Sequence, residues 1–376
     1  MNDVALIPEY KQKRWSSAGL TPLQERIFNW TAALLIVAMI AGWTVSIIDS
    51  YLTAAVAVTG EPLARKSPST RVASALLDPR ARSTVFLDEA ALKYFDPLRG
   101  YSGKLKATFR LPGDPLSEVG TDPQLRAEFR EGGTAIPSPE LTAPSRPGIY
   151  NIHIQLNQAR KAIDDLSLVN LVPSSEKRQG RIGSYMLGSW PWEEGGTPRS
   201  QAYAPPRGFI KVTPENRDTY VSEHFQLKDF LTKDQPNVWP KYLLLEPKTL
   251  DKLELVIQDL KEQGYDVRHV TIMSGFRTPR YNHSGGNTEG RANLSRHMYG
   301  DAADFFVDND QDGWTDDING DGKVDLKDAE IMAAAAERVE RKYPALVGGI
   351  GIYKACCGHG PFVHVDVRGI RARWRY

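Results

Sequence analysis

The apolar and polar positions of this chain fall into distinct regimes. From Ile27 to Ile48 an uncharged, largely apolar run (IFNWTAALLIVAMIAGWTVSII) has no polar face. At about 1.5 Å per residue it covers about 33 Å, enough for the hydrocarbon core of a bilayer, and so predicts a transmembrane helix. Residues 49–100 are punctuated by Arg and Pro and read as a stalk with one short helix around Asp88–Tyr94. Between 101 and 215, short alternations at Lys104–Leu111 and Tyr150–Leu156 predict half-buried strands, with further strands at Leu166–Leu171 and Arg181–Leu187. The Gly/Pro/Thr-rich stretch EGGTAIPSPELTAPSRPG between the first two is expected to be loop or linker. The expectation is a small β-rich module, compatible with a sandwich and with no evident chemistry.

From Ser222 the period changes. Leu250, Leu253, Ile257 and Leu260 recur at helical spacing, and Gly264 ends the helix. Short apolar runs predict strands at Val270–Met273, Ala302–Val307, Gly349–Tyr353 and Phe362–Val367, with a helix at Leu326–Tyr343. One α+β domain over 220–376 follows.

Charge then sets the address. Lys11, Lys13, Arg14 and Arg26 precede the apolar span, while the next basic residue after it is Arg65. The positive-inside rule places 1–26 in the cytoplasm and the later domains outside. A signal peptide cleaved near Ala55-Val-Ala57 fits less well, because the apolar run and the tail before it are both long. The chain is therefore expected in a bacterial inner (cytoplasmic) membrane, spanning it once, with periplasmic or extracellular domains. A formal net charge of +1 over 376 residues carries no footprint for nucleic acid. The only cysteines, Cys356 and Cys357, are adjacent, which argues against a bridge between them and against a disulfide framework.

Candidate chemistry concentrates in Ser295-Arg-His-Met-Tyr-Gly-Asp-Ala-Ala-Asp304 and Phe362-Val-His-Val-Asp366. His297 and Asp304 flank a turn at Gly300, and His364 and Asp366 share one face of a predicted strand. Two imidazoles and a carboxylate suit one zinc ion with a fourth position open to water, whose pKa such an ion brings down to about 7.

The same residues carry a resemblance. Ser295, His297, Gly300, Ala302 and Asp304 match the S-x-H-x-x-G-x-A-x-D signature of zinc D-Ala-D-Ala carboxypeptidases and related peptidoglycan peptidases. That group shares a core with hedgehog signalling domains and lysostaphin-like enzymes. SGFRTPRYN (Ser274–Asn282) is similar to the segment bearing a substrate-binding Arg, SEHFQLKDFL to an entry motif, and His364 to the last metal ligand. The likeness covers about Ser222–Trp374. It implies zinc held by His297, Asp304 and His364, and Arg277 binding the substrate carbonyl or carboxylate and sharing the oxyanion charge. The implied reaction is hydrolysis of peptidoglycan stem peptides or crosslinks, by a carboxypeptidase or an endopeptidase. Many relatives place an acid or His two or three residues before the last ligand, where this chain has Phe362 and Pro361. The catalytic candidates are then Asp366, as base or as orienting partner, and His359. Ser295 reads as a support, not a nucleophile. The missing base leaves a non-catalytic zinc-containing cell-wall-binding or interaction protein as the alternative.

Two acidic loops remain. Asp317, Asn319, Asp321, Asp325 and Asp328 occupy positions 1, 3, 5, 9 and 12 of an EF-hand-like calcium loop, with Gly322 at position 6 and Lys323 at position 7. Asp308, Asp310 and Asp312 repeat its D-x-D-x-D-G start. Calcium is expected in this insertion.

Overall fold

The computed structural model describes residues 30–31, 79–116, 124–138, 141–286, 288, 291–356 and 358–376. The predicted tail, membrane span and most of the stalk lie outside these residues, apart from Trp30 and Thr31. Among the described residues no helix is long and apolar enough to cross a membrane.

The helix expected at Asp88–Tyr94 is longer, running Pro79–Phe95 (α1). It leads into a five-stranded sheet of order β1-β5-β4-β2-β3, made of β1 (Ala107–Arg110), β2 (Arg126–Glu131), β3 (Thr134–Ser138), β4 (Gly148–Leu156) and β5 (Ala159–Asn170). Leu87, Ala90, Tyr94 and Phe95 of α1 join Phe129, Tyr150, Ile152, Ile154 and Leu168 in one apolar cluster. The module is thus one sheet with a helix in its core, and not a sandwich. The stretch expected to be loop contains β3, which pairs with β2 around Gly132-Gly133. Both glycines have positive φ (+53° and +89°), as a tight hairpin turn requires. β3 escaped the alternation test because it is a largely exposed edge strand, where Pro137 is tolerated.

A second, larger core begins in the strands that follow. β6 (Val172–Pro173), β9 (Gly208–Val212) and β10 (Lys241–Leu243) form a small sheet, and β7 (Arg181–Ile182) and β8 (Tyr185–Met186) form a hairpin. Ile182, Leu187, Trp190 and Phe209 belong to the same apolar core as Leu253, Phe305 and Val363. Ser83–Tyr376 is one compact unit, so the segment before residue 220 is built into the domain that follows it.

That domain centres on a sheet of order β11-β12-β14-β13-β15, comprising β11 (Val270–Ser274), β12 (Ala302–Val307), β13 (Gly349–Tyr353), β14 (Phe362–Asp366) and β15 (Ala372–Arg375). Neighbours are antiparallel except β13 and β15. Helix α2 (Pro247–Glu262) starts with Pro at N1 and buries Leu250, Leu253, Val256, Ile257 and Leu260. The short α3 (Pro279–Ser284) is capped by Thr278. In α4 (Leu326–Lys342), Asp325 and Asp328 cap the first turn reciprocally, and the helix packs on α2, β13 and β14. Beneath β14, the fully buried Lys252 ammonium donates to Glu340 (2.7 Å) and to the Asp366 carbonyl (2.8 Å), tying α2 and α4 to that strand.

Candidate metal centre

One row of cross-strand neighbours runs over the whole central sheet. Ser274 on β11 pairs with Asp304 on β12, Asp304 with His364 on β14, His364 with Gly351 on β13, and Gly351 with Trp374 on β15. Residues opposite one another in a ladder point to the same face, so this register sets Asp304 and His364 side by side. His297 comes from outside the sheet, on the 3-10 turn Arg296–Tyr299 that enters β12. Gly300 ends that turn with φ +71°, and a Cβ there would collide with the Leu244 backbone.

The turn is pinned from both sides. Arg296 is buried, chelates the Asp301 carboxylate through Nε (3.0 Å to each oxygen) and Nη2, and lies over the rings of Tyr203 and Tyr299 at 4.7 and 4.6 Å. Trp190 donates its indole N–H to the Met298 carbonyl (2.7 Å) and stacks on Phe276. The region 101–215, which showed no chemistry as a sequence, thus supplies a prop for the site through Trp190 and Tyr203.

The result is a buried triangle of donor atoms. His297 Nε2 lies 3.2 Å from Asp304 Oδ1 and 3.1 Å from His364 Nδ1, and His364 Nδ1 lies 2.8 Å from Asp304 Oδ1. Each ligand is held from behind. His297 Nδ1 donates to the Gly275 carbonyl (2.7 Å), Asp304 Oδ2 accepts from Arg277 Nη2 (2.6 Å), and His364 Nε2 donates to Asp366 Oδ2 (3.2 Å). These partners leave the lone pairs of His297 Nε2, His364 Nδ1 and Asp304 Oδ1 facing one point. Metal-ligating His and carboxylate groups are commonly oriented by such outer partners. Ligands about 2.0–2.2 Å from a tetrahedral ion lie about 3.3–3.6 Å apart. The donors therefore fit zinc in number and type and need to spread by only a few tenths of an ångström to admit it. The three form one of two metal-capable groups among the described residues.

Electrostatics favour the ligand form of His297 and Asp304, and a proton on His364 in the metal-free site. Burial, and next the Arg277 charge, push the His297 imidazole down to about 4, favouring the neutral ligand form. Burial works against a charged Asp304, yet His297 and Arg277 hold it well below the usual carboxylate range. Burial likewise opposes protonation of His364, but hydrogen bonds to Asp304 and Asp366 raise its pKa overall.

The catalytic candidates separate here. Arg277 sits beside the triangle, its Nε donating to Ser274 Oγ (2.8 Å) as well as its Nη2 to Asp304. Asp366 is behind His364, fully buried, accepting from the Gly349 amide (2.8 Å) and from Arg368 Nε (2.8 and 2.9 Å) and Nη2. Burial opposes its charge, but His364 and Arg368 hold its carboxyl far below the usual range. A carboxylate so saturated orients His364 and is a poor proton acceptor. His359 hydrogen-bonds its Nδ1 to the Gly360 carbonyl (2.8 Å), packs edge-on against Phe362 and has no hydrogen bond to the triangle. Ser295 opens the His297 turn through its backbone carbonyl, which accepts from Met298.

Residues that sequence reasoning missed complete the face. Trp374 lies 5.1 Å from His364 between ring centroids, and donates its indole N–H to the Tyr353 hydroxyl (2.8 Å). Tyr353 stacks on Phe362 at 4.4 Å. Gly351 makes this possible, since a Cβ there would run into the Trp374 indole nitrogen. The signal was the strand parity of GIGIY and ARWR. It could not be used without knowing which strands pair.

Two expectations are corrected nearby. Cys356 is disulfide-bonded, and Cys357 is the only other cysteine in the chain. Cys356 and His359 exchange backbone hydrogen bonds (3.1 and 3.0 Å) in a tight turn. The EF-hand-like loop does not gather its carboxylates. Asp317 accepts from the Gly320, Asp321 and Gly322 amides, Asp321 pairs with Lys327, and Asp325 and Asp328 are spent on the cap of α4. Among the described residues, Asn319, Lys323 and these four aspartates form no metal-capable group, whereas Asp308, Asp310 and Asp312 do.

Residues 224–316 match the family model described as Peptidase M15. No curated protein and no solved structure matches the chain. The matched stretch contains His297, Asp304 and Arg277, while His364 lies beyond it and is delivered by the β12–β14 pairing. This chain carries a domain of the peptidase M15 family, the zinc peptidases of D-Ala-D-Ala carboxypeptidase and hedgehog-like type, in residues 224–316.

Proposed function

We propose that this protein is a zinc-dependent peptidase that hydrolyses peptide bonds in peptidoglycan stem peptides or crosslinks. The observation that carries the reading is the buried triangle of His297, Asp304 and His364, each backed by a partner that turns its lone pair inward. A zinc ion there supplies Lewis-acid polarisation of a carbonyl and a water acidified towards neutral pH. The chain's own part is to hold and orient. Asp366 and Arg368 fix the imidazole plane of His364, and the Gly275 carbonyl fixes that of His297. Arg277, with its Nε–H and one Nη2–H committed, offers its remaining N–H groups to the substrate's carbonyl oxygen or carboxylate as charge develops. The anchor read at 27–48 would set this domain on the outer face of a bacterial inner membrane, where such a substrate lies.

One observation favours a second reading, a zinc-containing cell-wall-binding protein without turnover. Asp366 is saturated by Arg368 and His364, and His359 is not bonded to the triangle, so neither sequence candidate is poised as a base. The test is to incubate the detergent-solubilised full chain, loaded with zinc, with purified muropeptides and weigh the products. Cleavage abolished by chelation and restored by zinc is expected. Loss of a terminal D-Ala identifies a carboxypeptidase, and separation of crosslinked dimers an endopeptidase. Zinc retention with intact muropeptides throughout would leave the binding reading standing.

A further inference from the structure

We propose that the loop 308–316 is a calcium site, formed by the carboxylates of Asp308, Asp310 and Asp312, that steadies the strand carrying His364. The assignment is independent of whether the zinc centre turns over.

Asp308 follows the last residue of β12 and is 2% exposed. Its Oδ2 accepts from Thr271 Oγ1 at 2.6 Å, and its amide is bound to the His269 carbonyl, so the side chain is fixed in place. Its Oδ1 is buried and has no hydrogen-bond partner. Buried polar atoms are nearly always paired, and an orphaned carboxylate oxygen is costly, so this one calls for a cation. Asp308, Asp310 and Asp312 each bring a carboxylate oxygen within 4.8 Å of the others. Oxygens around a single calcium ion, at about 2.3–2.6 Å each, span the same range. An all-oxygen donor set selects a hard cation over zinc.

A fourth carboxylate stands close by. Asp316 accepts from the Asn309 amide (2.7 Å), and its pKa is raised, by burial first and then by Asp310, Asp308 and Asp312. Negative charge is therefore concentrated in the loop, and a dication relieves it. The second acidic loop differs. Asp310 and Asp312 each accept one backbone amide (3.3 and 2.7 Å), whereas Asp317 accepts from three, Asp321 pairs with Lys327, and Asp325 and Asp328 cap a helix. Among the described residues no carboxylate oxygen of that second loop is buried without a partner.

The loop is also wired to the zinc centre. Thr315, 3% exposed, donates its hydroxyl to the Pro361 carbonyl at 2.6 Å. Gly360 packs so closely that a Cβ would lie 2.7 Å from that hydroxyl oxygen. Pro361 precedes β14, three residues before His364. At its other end the loop continues β12, which carries Asp304. Ordering 308–316 fixes the entry to one metal-bearing strand and the exit from the other.

The test uses the full chain in detergent, stripped of calcium, with zinc content measured in parallel. Calcium chloride is titrated by calorimetry, and thermal melts are recorded with millimolar calcium or magnesium chloride. Binding at about 10⁻⁴–10⁻³ M, in the range of extracellular calcium loops, and a calcium-dependent rise in melting temperature are expected. Asp310→Asn and Asp312→Asn alter exposed residues and should fold, yet each should weaken calcium binding tenfold or more. Asp321→Asn, in the second loop, should leave it unchanged. No heat and no melting shift with calcium, an equal response to magnesium, or a response lost in Asp321→Asn but kept in Asp312→Asn overturns the proposal. Zinc content does not enter any of these outcomes, so this test and that of the peptidase reading can fail separately.

Discussion

His364 donates from Nε2 to Asp366, its second neighbour along β14, at 3.2 Å, and so turns Nδ1 towards Asp304 at 2.8 Å. A carboxylate that could have been a base on sequence grounds is thereby a positioning group. Replacing Asp366 with Asn should lower zinc affinity by about 10–100-fold, the usual effect of losing an outer partner of a metal ligand. Competition against a chelator measures it. Unchanged zinc affinity with abolished turnover would return Asp366 to the role of base.

Zinc retention should depend on pH through His364. Its folded pKa is raised, so in the metal-free fold protonated His364 contributes stability that is full below the unfolded value of about 6.5 and is lost as pH rises through the folded pKa. Zinc needs the deprotonated ring, so the metal competes with that proton. Apparent zinc affinity should fall by about tenfold per pH unit once pH drops below the folded pKa. Equilibrium zinc uptake between alkaline and mildly acid pH checks the sign.

Arg277 holds both Asp304 and Ser274. In Arg277→Lys the charge stays but the fork is lost, so the two bonds cannot both be kept. Turnover of muropeptides should fall by about 10²–10³-fold if Arg277 also meets the developing oxyanion, the size seen when one such donor is removed. Zinc content should be nearly unchanged. Steady-state kinetics with metal analysis separates the two.

Gly351→Ala places a methyl group against the Trp374 indole nitrogen. The indole must move, breaking its bond to Tyr353 and its packing on His364. A loss of about 1–3 kcal/mol is expected from such overpacking, visible as a lower melting temperature. Altered tryptophan fluorescence should accompany it.

Removing one member of the Arg296–Asp301 pair should be the most destabilising of these changes. Both groups are buried, and an uncompensated buried charge costs about 3–5 kcal/mol. Asp301→Ala should melt earlier than the wild type. Because the pair sets the turn bearing His297, it should also lose zinc.

The sequence by itself determined the elements whose causes are local. Apolar spacing placed α2, the sequence also carried the helix that became α4, short β-favouring runs placed β11 to β14, and Gly300 marked the turn between His297 and Asp304. The three candidate metal donors were legible because their types and spacings are a chemical pattern, and the structure brings them together. What only the tertiary structure decided rests on contacts between distant segments. Strand pairing aligned Ser274, Asp304, His364, Gly351 and Trp374 in one row, and no periodicity reports which strands become neighbours. The exposed strand β3 carried no burial pattern to read. Of the two roles the sequence left open for Asp366, Arg368 folding back on it favours the orienting one. Of the two acidic loops, only 308–316 keeps a buried carboxylate oxygen without a partner among the described residues. A carboxylate's chemistry is set by what surrounds it, and those surroundings exist only once the chain has closed.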